Sequence, residues 1–324
     1  MGSVVVLAVA AACSFGCRSD DRGASTDGPV GQDAATSPVD APIDAFEPPV
    51  TEIGTVEQAS DRVIVFKADA DWSQTSSIVW SWQPSDSPQI PTAARAWFAL
   101  LSDVKLRNHG TSAIVAASRG GVAIITIATK KVTFYAQPGG NTHSVELLPD
   151  GNLASISSTG GFVKLYCTDP GSTVVKTYPI ADGHGVLWDP VHERLWALGG
   201  TQLIAYRYGG THSDPALTIE ATYATPTAGG HELFPVPNQP ELFVSTGSHV
   251  YQFDTEARTF APFTLDLPAI KSFSENPVSG QIVLMTPTTS WWSDTVVFHR
   301  PAATRVMPNA RFYKARWWSE IPGW

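Results

Sequence analysis

Three histidines follow glycine-rich turns at the same distance from a proline. His143 lies in GGNTHSVELLP, His184 in ADGHGVLWDP and His231 in AGGHELFPVP, each six residues ahead of a proline. Lys271 has the same place in KSFSENP. An imidazole can bind a metal, donate a hydrogen bond or transfer a proton near neutral pH. The recurring position therefore predicts one candidate site that is built from several equivalent segments.

Two chemistries fit such a site. Three neutral imidazoles, those of His143, His184 and His231, would bind a divalent metal ion and leave coordination positions open for water or substrate. Alternatively, histidines and cations together would bind an anion such as a uronate, sulfate or phosphate group through charge-assisted hydrogen bonds. The candidate residues for that ligand site are His143, His184, His231, Lys271, Lys314, Arg316, Arg119, Trp291 and Trp292.

A structural role is the alternative for the same residues. The histidines would then tie neighbouring repeats together through hydrogen bonds to the backbone. Trp291 and Trp292 lie in a loop that is longer than its equivalents. Their indoles would either form a stacking platform for a sugar or pack between repeats. No pair of carboxylates stands out beside the histidines as a general acid and base, which favours binding over catalysis.

The elements that carry these residues recur along the chain. Short apolar strands end in a small-residue turn and resume with another apolar run, as in VAASRGGVAIITI, SISSTGGFVKLYC and FVSTGSHVYQFDT. Six such copies recur at roughly 40-residue intervals, the period of a four-stranded propeller blade. The segments with histidine then begin innermost strands. The sequence predicts an all-β fold, a six-bladed β-propeller, over residues 51–324.

The two ends of the repeat array complement each other. The first copy has no innermost strand of its own, whereas the chain ends with a spare strand, ARFYKARWW (310–318). We expect this strand to pair beside residues 52–58 and to close the first blade, because closure removes exposed sheet edges. The loops that lead into innermost strands of a propeller surround one mouth of its central channel, and the candidate residues would meet there.

The first fifty residues differ in composition from the rest. Residues 1–17 contain a short apolar run with small residues before cysteine, which is typical of a lipoprotein signal peptide with Cys13 or Cys17 as the lipidation site. An ordinary cleaved signal without lipid is the alternative. Residues 18–50 are rich in Asp, Pro, Ala and Ser, which predicts a disordered acidic tether. The expected location is extracytoplasmic, either lipid-anchored to a bacterial membrane or cell surface or secreted.

Charge limits the possible partners. The net charge of −9 argues against a nucleic-acid-binding protein. Residues 18–50 hold seven acids and two bases, so the predicted propeller is only mildly acidic. We expect a monomer that binds a small molecule or glycan and that contacts a membrane only through its lipid anchor. Cys167 is the one cysteine in the predicted propeller and is expected in its core.

Several segments together resemble an uncharacterised family of secreted bacterial six-bladed β-propellers, a domain of unknown function. They are DVKLRN, HSVELLPDGN, GGHELFPVP and RFYKARWW, and the resemblance covers nearly everything after residue 51. It implies the fold and brings no activity with it. In single motifs, the inner-strand histidines resemble those that hold a metal in propeller lyases of pectin fragments. HSVELLPDGN also resembles a segment of bacterial arylsulfotransferases.

Two functions remain open at this point. The sequence favours a tethered module that binds a small polar or anionic ligand, such as a glycan fragment, at the channel mouth. The alternative is an enzyme at the same place: a metal-assisted lyase or hydrolase, with a divalent metal ion as cofactor, or a group transferase with histidine as base or nucleophile. The sequence assigns no catalytic residue for that alternative.

Overall fold

A computed structural model describes residues 50–324, which fold into six antiparallel sheets of four strands each. The sheets follow one another around a ring as the blades of a β-propeller, so the predicted fold class is confirmed. The predicted signal peptide (1–17) and all but the last residue of the predicted tether (18–50) lie outside the described residues.

Blade 1 combines strands from both ends of the chain, whereas blades 2 and 3 each use four consecutive strands. Blade 1 contains β1 (Glu52–Glu57), β2 (Arg62–Lys67) and β3 (Ile78–Trp82), and its fourth strand comes from the other end of the chain. Blade 2 contains β4 (Leu101–Arg107), β5 (Ser112–Ala117), β6 (Val122–Thr126) and β7 (Val132–Ala136). Blade 3 contains β8 (Thr142–Leu147), β9 (Leu153–Ser157), β10 (Phe162–Tyr166) and β11 (Val175–Pro179).

The other three blades repeat this order. Blade 4 contains β12 (Gly185–Asp189), β13 (Arg194–Leu198), β14 (Gln202–Thr211) and β15 (Asp214–Ala224). Blade 5 contains β16 (Leu233–Pro235), β17 (Glu241–Ser245), β18 (Val250–Asp254) and β19 (Thr259–Pro262). Blade 6 contains β20 (Ser272–Glu275), β21 (Ile282–Met285), β22 (Thr295–His299) and β23 (Ala303–Val306), after which comes the final strand β24 (Phe312–Trp317).

Helical structure is confined to short segments between blades 1 and 2 or inside blade 1. They are the α-helix α1 (Thr92–Arg95) and the 3₁₀ turns Thr75–Ser77, Pro84–Asp86 and Ala96–Phe98. Across residues 50–324, no helix has the length and apolar character that a membrane crossing needs.

The C-terminal strand closes the ring as predicted. β24 pairs antiparallel with β1, with Thr55 opposite Ala315 and Ile53 opposite Trp317. Phe312 and Trp317 of this strand are buried and belong to an apolar cluster with β2, β21 and β22. Blade 1 therefore contains both ends of the propeller, and its packing depends on strands that are far apart in sequence.

Apolar side chains between neighbouring blades form the core. Phe243 of blade 5 packs on Phe273 of blade 6 with ring centroids 4.4 Å apart. Trp196 of blade 4 meets Phe253 of blade 5 at 5.4 Å in an edge-to-face contact, a favoured geometry for aromatic rings. Each blade thus buries both faces of its sheet against its neighbours, which fixes the positions of the inner strands.

Glycines in the turns before the inner strands allow backbone to contact backbone. Gly140 has a φ of +68°, and a Cβ there would lie 2.5 Å from the Cα of Gly160. The N–H of Gly160 donates to the carbonyl of Gly140 at 2.8 Å. Only a residue without a side chain fits both the left-handed backbone and this contact. The turn thereby holds the start of β8, and with it His143, against the neighbouring turn of the same blade.

Candidate functional site

The side chains at the mouth start from equivalent positions on consecutive blades. His184 lies directly before β12, His231 lies two residues before β16, and Lys271 lies directly before β20. Their N–H groups each donate to the second strand of their own blade, to the carbonyls of Leu198, Ser245 and Met285 at 2.8, 2.9 and 2.9 Å. His143 is the second residue of β8, where the pairing with β9 shifts by one residue. Blades 3 to 6 therefore bring these four side chains to one end of the channel.

The three imidazoles form a column. The ring centroids of His143 and His184 are 4.4 Å apart with 20° between the planes, and those of His184 and His231 are 4.2 Å apart with 32°. Nitrogen lone pairs lie in the ring planes, so the lone pairs of stacked rings do not converge on one point. Among these three described residues, no choice of one nitrogen from each ring puts all three nitrogens within 4.8 Å of one another.

Polar contacts occupy one nitrogen of each ring. The hydroxyl of Tyr313 lies 3.1 Å from Nδ1 of His143 and 3.1 Å from Nε2 of His231. Nζ of Lys271 lies 2.8 Å from the same Nε2. Nδ1 of His184 donates to the backbone carbonyl of Asp182 at 2.9 Å. The remaining nitrogens form no hydrogen bond with residues 50–324: Nε2 of His143, Nε2 of His184 and Nδ1 of His231.

Burial determines the charge of the histidines. It lowers the pKa of His143 and of His231 well below the ordinary value of 6.5, and the nearby His184 and Lys271 lower both further. Burial also lowers the pKa of His184, although its bond to the Asp182 carbonyl opposes this. The three imidazoles are therefore neutral at pH 7. The pKa of Lys271 is lowered by burial and by the positive charge of Lys314.

These side chains line an open pocket of about 310 Å³. Its lining residues are Gln58, Leu100, Ser118, Asn141, His143, His184, His231, Lys271, Trp291 and Tyr313. None of them is Asp or Glu, and the nearest carboxylate behind the lining is that of Asp182, whose Oδ1 lies 3.5 Å from Nδ1 of His184. The indole of Trp291 is 48% exposed, and its Nε1 donates to Oε1 of Gln58 at 3.0 Å. The pocket thus combines nitrogen donors, one ammonium group and an accessible aromatic face.

A layer of buried charges lies beneath the pocket and fills the channel. Arg316 of blade 1 pairs with Asp103 of blade 2 and with Glu232 beside blade 5, so its guanidinium group reaches across the channel. The other members also pair inside the channel: Lys105 and Arg107 with Glu146 at 3.2 and 2.6 Å, and Lys314 with Glu232 at 2.7 Å. Four basic groups face three carboxylates in this layer, and the carboxylate of Glu320 adds a further negative charge near Arg107.

This charge network lowers the pKa of two of its carboxyl groups, those of Asp103 and Glu146. Burial alone would raise the pKa of Asp103, but Arg316, Lys314 and Lys105 together lower it below the ordinary value. The pKa of Glu146 is lowered in the same way, because Arg107 and Lys105 outweigh burial. Asp103 and Glu146 are therefore ionised at neutral pH, and each is compensated by basic partners.

Comparison with known proteins places the chain in a family. The sequence profile of DUF6528, a family of unknown function, matches residues 28–321. The chain belongs to this family. No curated protein matches the sequence. The family assignment indicates no function, so a functional inference rests on the geometry of the pocket.

Solved structures share the propeller fold at low sequence identity. A chain in the crystal structure of the mitotic checkpoint complex matches with a TM-score of 0.51 and 13% identity, covering 81% of this chain and 76% of that one. A protein from Lactobacillus plantarum matches with a TM-score of 0.50 and 14% identity, covering 78% and 85%. At this identity the likeness shows the fold alone.

The structure places two of the predicted basic residues below the mouth. Lys314 and Arg316 are 2% and 3% exposed. Both face the channel, as the strand pattern indicates, but they are paired with Glu232 in the buried layer and do not line the pocket. The difference arises because β24 runs down the channel wall, so its basic residues reach the interior of the channel, below its rim.

Two further predicted residues lie apart from the pocket lining. Arg119 is exposed to solvent. Trp292 is half-buried, and the guanidinium group of Arg311 lies 5.2 Å from its ring centroid. Only Trp291 of the tryptophan pair lines the pocket. The two neighbouring indoles therefore have different surroundings, one at the mouth and one against a basic side chain.

Sequence reasoning missed Tyr313, Asn141, Ser118 and Gln58, which also line the pocket. Tyr313 stands next to Lys314 in the closing strand, so the strand was identified but the residue was not. Its buried hydroxyl contacts histidines from two other blades. No spacing in the sequence signals this contact, because the residues are 170 and 82 positions apart.

Proposed function

We propose that the mouth pocket binds a small anionic ligand, such as the carboxylate of a uronate or a sulfate or phosphate ester, through Lys271 and the histidine column. The observation that carries this proposal is the composition of the lining: an ammonium group and three imidazoles, with no carboxylate among the lining residues. An anion would therefore gain charge-assisted hydrogen bonds from nitrogens that have no hydrogen-bond partner in residues 50–324.

The contacts assign the imidazole protons. An ammonium group has only donors, so Lys271 at 2.8 Å makes Nε2 of His231 an acceptor and puts the ring proton on Nδ1. A carbonyl oxygen only accepts, so the bond to Asp182 puts the proton of His184 on Nδ1. The free Nε2 of His184 then carries a lone pair.

The hydroxyl proton of Tyr313 determines the tautomer of the third imidazole, that of His143. Since Lys271 already donates to Nε2 of His231, the Tyr313 hydroxyl donates to Nδ1 of His143. His143 then carries its proton on Nε2. The pocket accordingly offers two imidazole N–H groups, from His143 and His231, and the remaining N–H groups of Lys271. These are donors suited to the oxygens of a carboxylate, sulfate or phosphate.

The same assignment weighs against a metal ion bound by the three histidines. Lone pairs on His143 and His231 are already used by Tyr313 and Lys271, and only His184 has a free one. The Lys271 ammonium group would also repel a divalent cation at this distance. The contacts therefore favour the anion over the metal, and with it a binding protein over a metal-assisted lyase or hydrolase.

The position of Trp291 indicates which class of anionic ligand fits the pocket. Its indole is accessible at the pocket rim, while its Nε1 is held by Gln58. A fixed aromatic face beside anion donors suits a ligand with both a flat apolar surface and an acidic group. An acidic sugar meets this description, so we take a charged glycan fragment as the preferred ligand.

A titration of the full chain tests the proposal. We expect calorimetry to show binding of galacturonate, sulfate or phosphate, with Lys271→Met weakening affinity by about tenfold or more, as expected for a lost hydrogen bond to a charged group. The exposed Lys131 offers a matched control, and Lys131→Met should leave affinity unchanged. Equal affinity in both variants, or no binding of any of these anions, would refute the proposal.

We also propose that the protein is tethered outside the cytoplasm by a lipid on Cys13 or Cys17. This rests on the sequence of residues 1–17 alone. Expression in a bacterium with labelled palmitate tests it: label should be lost in either Cys13→Ala or Cys17→Ala and retained in the other variant. An unlabelled parent chain would refute the lipid anchor and would leave secretion through an ordinary cleaved signal peptide as the alternative.

A further inference from the structure

A second cluster of potential ligands lies at the junction of blades 3 and 4. Sγ of Cys167, the carboxylate of Asp169 and the imidazole of His212 each place an atom within 4.8 Å of the others. Sγ lies 3.6 Å from Oδ2 of Asp169. Oδ1 of the same carboxylate lies 2.9 Å from Nε2 of His212. These three side chains are not among the residues that line the mouth pocket.

The fold brings the cluster together from two blades. Cys167 directly follows β10, and Asp169 lies in the loop that leads to β11 of blade 3. His212 lies in the turn between β14 and β15 of blade 4. These two strands have 10 and 11 residues. This long hairpin extends beyond the rest of its blade, and its tip carries His212 to the loop of blade 3.

A buried amide holds both segments in place. Asn152 is fully buried. Its Nδ2 donates to the carbonyl of His212 at 2.9 Å, and its Oδ1 accepts from the N–H of Thr168 at 3.2 Å. One side chain therefore ties the backbone beside Cys167 and Asp169 to the backbone of His212. The three potential ligands are positioned by the fold and not by their mutual contacts alone.

A carboxylate faces the other side of the imidazole. Oδ2 of Asp150 lies 3.7 Å from Nδ1 of His212. It is itself held by the hydroxyl of Tyr208 at 2.7 Å and by Nδ2 of Asn152 at 3.0 Å. Histidines that bind metals commonly present their second nitrogen to such a carboxylate, which fixes the ring and its tautomer. Asp150 lies on this side of His212, with a separation of 3.7 Å that is longer than a direct hydrogen bond.

We propose that Cys167, Asp169 and His212 form a binding site for Zn²⁺ or a similar divalent transition metal. Thiolate, carboxylate and imidazole are ligands that zinc prefers, and three of them leave a fourth position for water. Bond lengths of about 2.0–2.3 Å in a tetrahedral site place ligand atoms about 3.3–3.8 Å apart, close to the spacing of Sγ and Oδ2. On binding, the thiol releases its proton to solvent. Nε2 of His212 passes the proton that it donates to Asp169 either to solvent or to Nδ1 of the same ring, and it gives its lone pair to the metal.

The site would join the long hairpin of blade 4 to blade 3. It uses a buried cysteine, 3% exposed, whose Sγ lies 3.6 Å from the carboxylate of Asp169. This metal site is separate from the anion pocket and does not depend on the function proposed for it. Asp150 acts as a positioning residue for His212 and does not bind the ion.

Cobalt binding gives a direct readout of the thiolate. The experiment uses the full chain with Cys13→Ser and Cys17→Ser, so that Cys167 is the only thiol, and adds Co²⁺ and then Zn²⁺ to metal-free protein. We expect one bound Co²⁺ per chain, a thiolate-to-cobalt charge-transfer band, and displacement of that band by Zn²⁺. Cys167→Ser should abolish the band, and Asp150→Asn should weaken affinity by about tenfold.

Matched variants distinguish loss of metal binding from loss of folding. Asp169→Asn changes a largely exposed side chain and should weaken metal binding without changing the melting temperature of the metal-free protein. His212→Gln should abolish tight binding, whereas His109→Gln, a change at another exposed histidine, should not. Absence of a charge-transfer band in the parent protein, or equal affinity in the His212 and His109 variants, would overturn the proposal.

Discussion

The hydroxyl of Tyr313 lies 3.1 Å from Nδ1 of His143, which joins the closing strand of blade 1 to the inner strand of blade 3. The same oxygen lies 3.1 Å from His231, next to the inner strand of blade 5. One side chain thus connects alternate blades around the channel mouth. The histidines have a structural role through this contact, yet each retains one nitrogen for a ligand.

The Tyr313 hydroxyl should contribute to stability. Tyr313→Phe leaves Nδ1 of His143 as a buried acceptor without its donor, and we expect a loss of about 1–3 kcal/mol in the free energy of unfolding. Tyr206 provides the control, because its buried hydroxyl has no hydrogen-bond partner in residues 50–324. Tyr206→Phe should change stability little. Urea unfolding measures both, and similar losses in the two variants would show that the mouth contact is unimportant.

The buried histidines should make stability depend on pH. Their pKa values are lowered in the folded state, so between pH 6.5 and about 5 the unfolded chain binds more protons than the folded one. The stabilisation is fully present above pH 6.5 and is lost as pH falls, by about 1.4 kcal/mol per pH unit for each excess proton. Asp103 and Glu146 contribute only at lower pH, since their pKa values are lowered too.

Glutamine variants identify the source of this pH dependence. His143→Gln or His231→Gln should flatten the stability curve between pH 6.5 and about 5. Bound sulfate should oppose the acid destabilisation, because an anion favours the protonated imidazoles. An unchanged curve in both buried-histidine variants would contradict the neutral assignment of the column.

The architecture was predictable because it rests on local patterns. Paired apolar runs at a regular period specify the blades, and a surplus strand at one end, with a missing one at the other, specifies the closure. The shared position of His184, His231 and Lys271 could likewise be read from the chain, because equivalent segments enter equivalent strands. These features need only the strand period and the order of elements.

Side-chain pairing across the ring was not predictable. Lys314 and Arg316 were expected at the mouth, but their partners, Asp103 and Glu232, come from distant blades and draw them into the channel. The cluster of Cys167, Asp169 and His212 was also missed. His212 belongs to a hairpin whose length exceeds the repeat pattern, and only the folded arrangement shows what its tip reaches.

Removal of a charge from the channel should be far more costly than removal of one at the surface. Arg316→Met leaves Asp103 and Glu232 buried with reduced compensation, and we expect a loss of about 3–5 kcal/mol. Arg194→Met breaks a bidentate but partly exposed pair with Glu220 and should cost about 1 kcal/mol or less. Chemical unfolding compares the two, and a smaller loss for Arg316→Met would argue against a tightly buried network.

Ring closure should make the propeller fold as one unit. Deletion of residues 310–324 removes β24, exposes β1 as an edge and leaves Glu57, Asp103 and Glu232 without partners from this strand or the turn before it. We expect the whole propeller to lose stability, seen as a large fall in the melting temperature and increased aggregation. Deletion of residues 319–324 alone spares β24 and should preserve a single cooperative transition at a modestly lower temperature. If the longer deletion left that transition unchanged, β24 would not be required for closure.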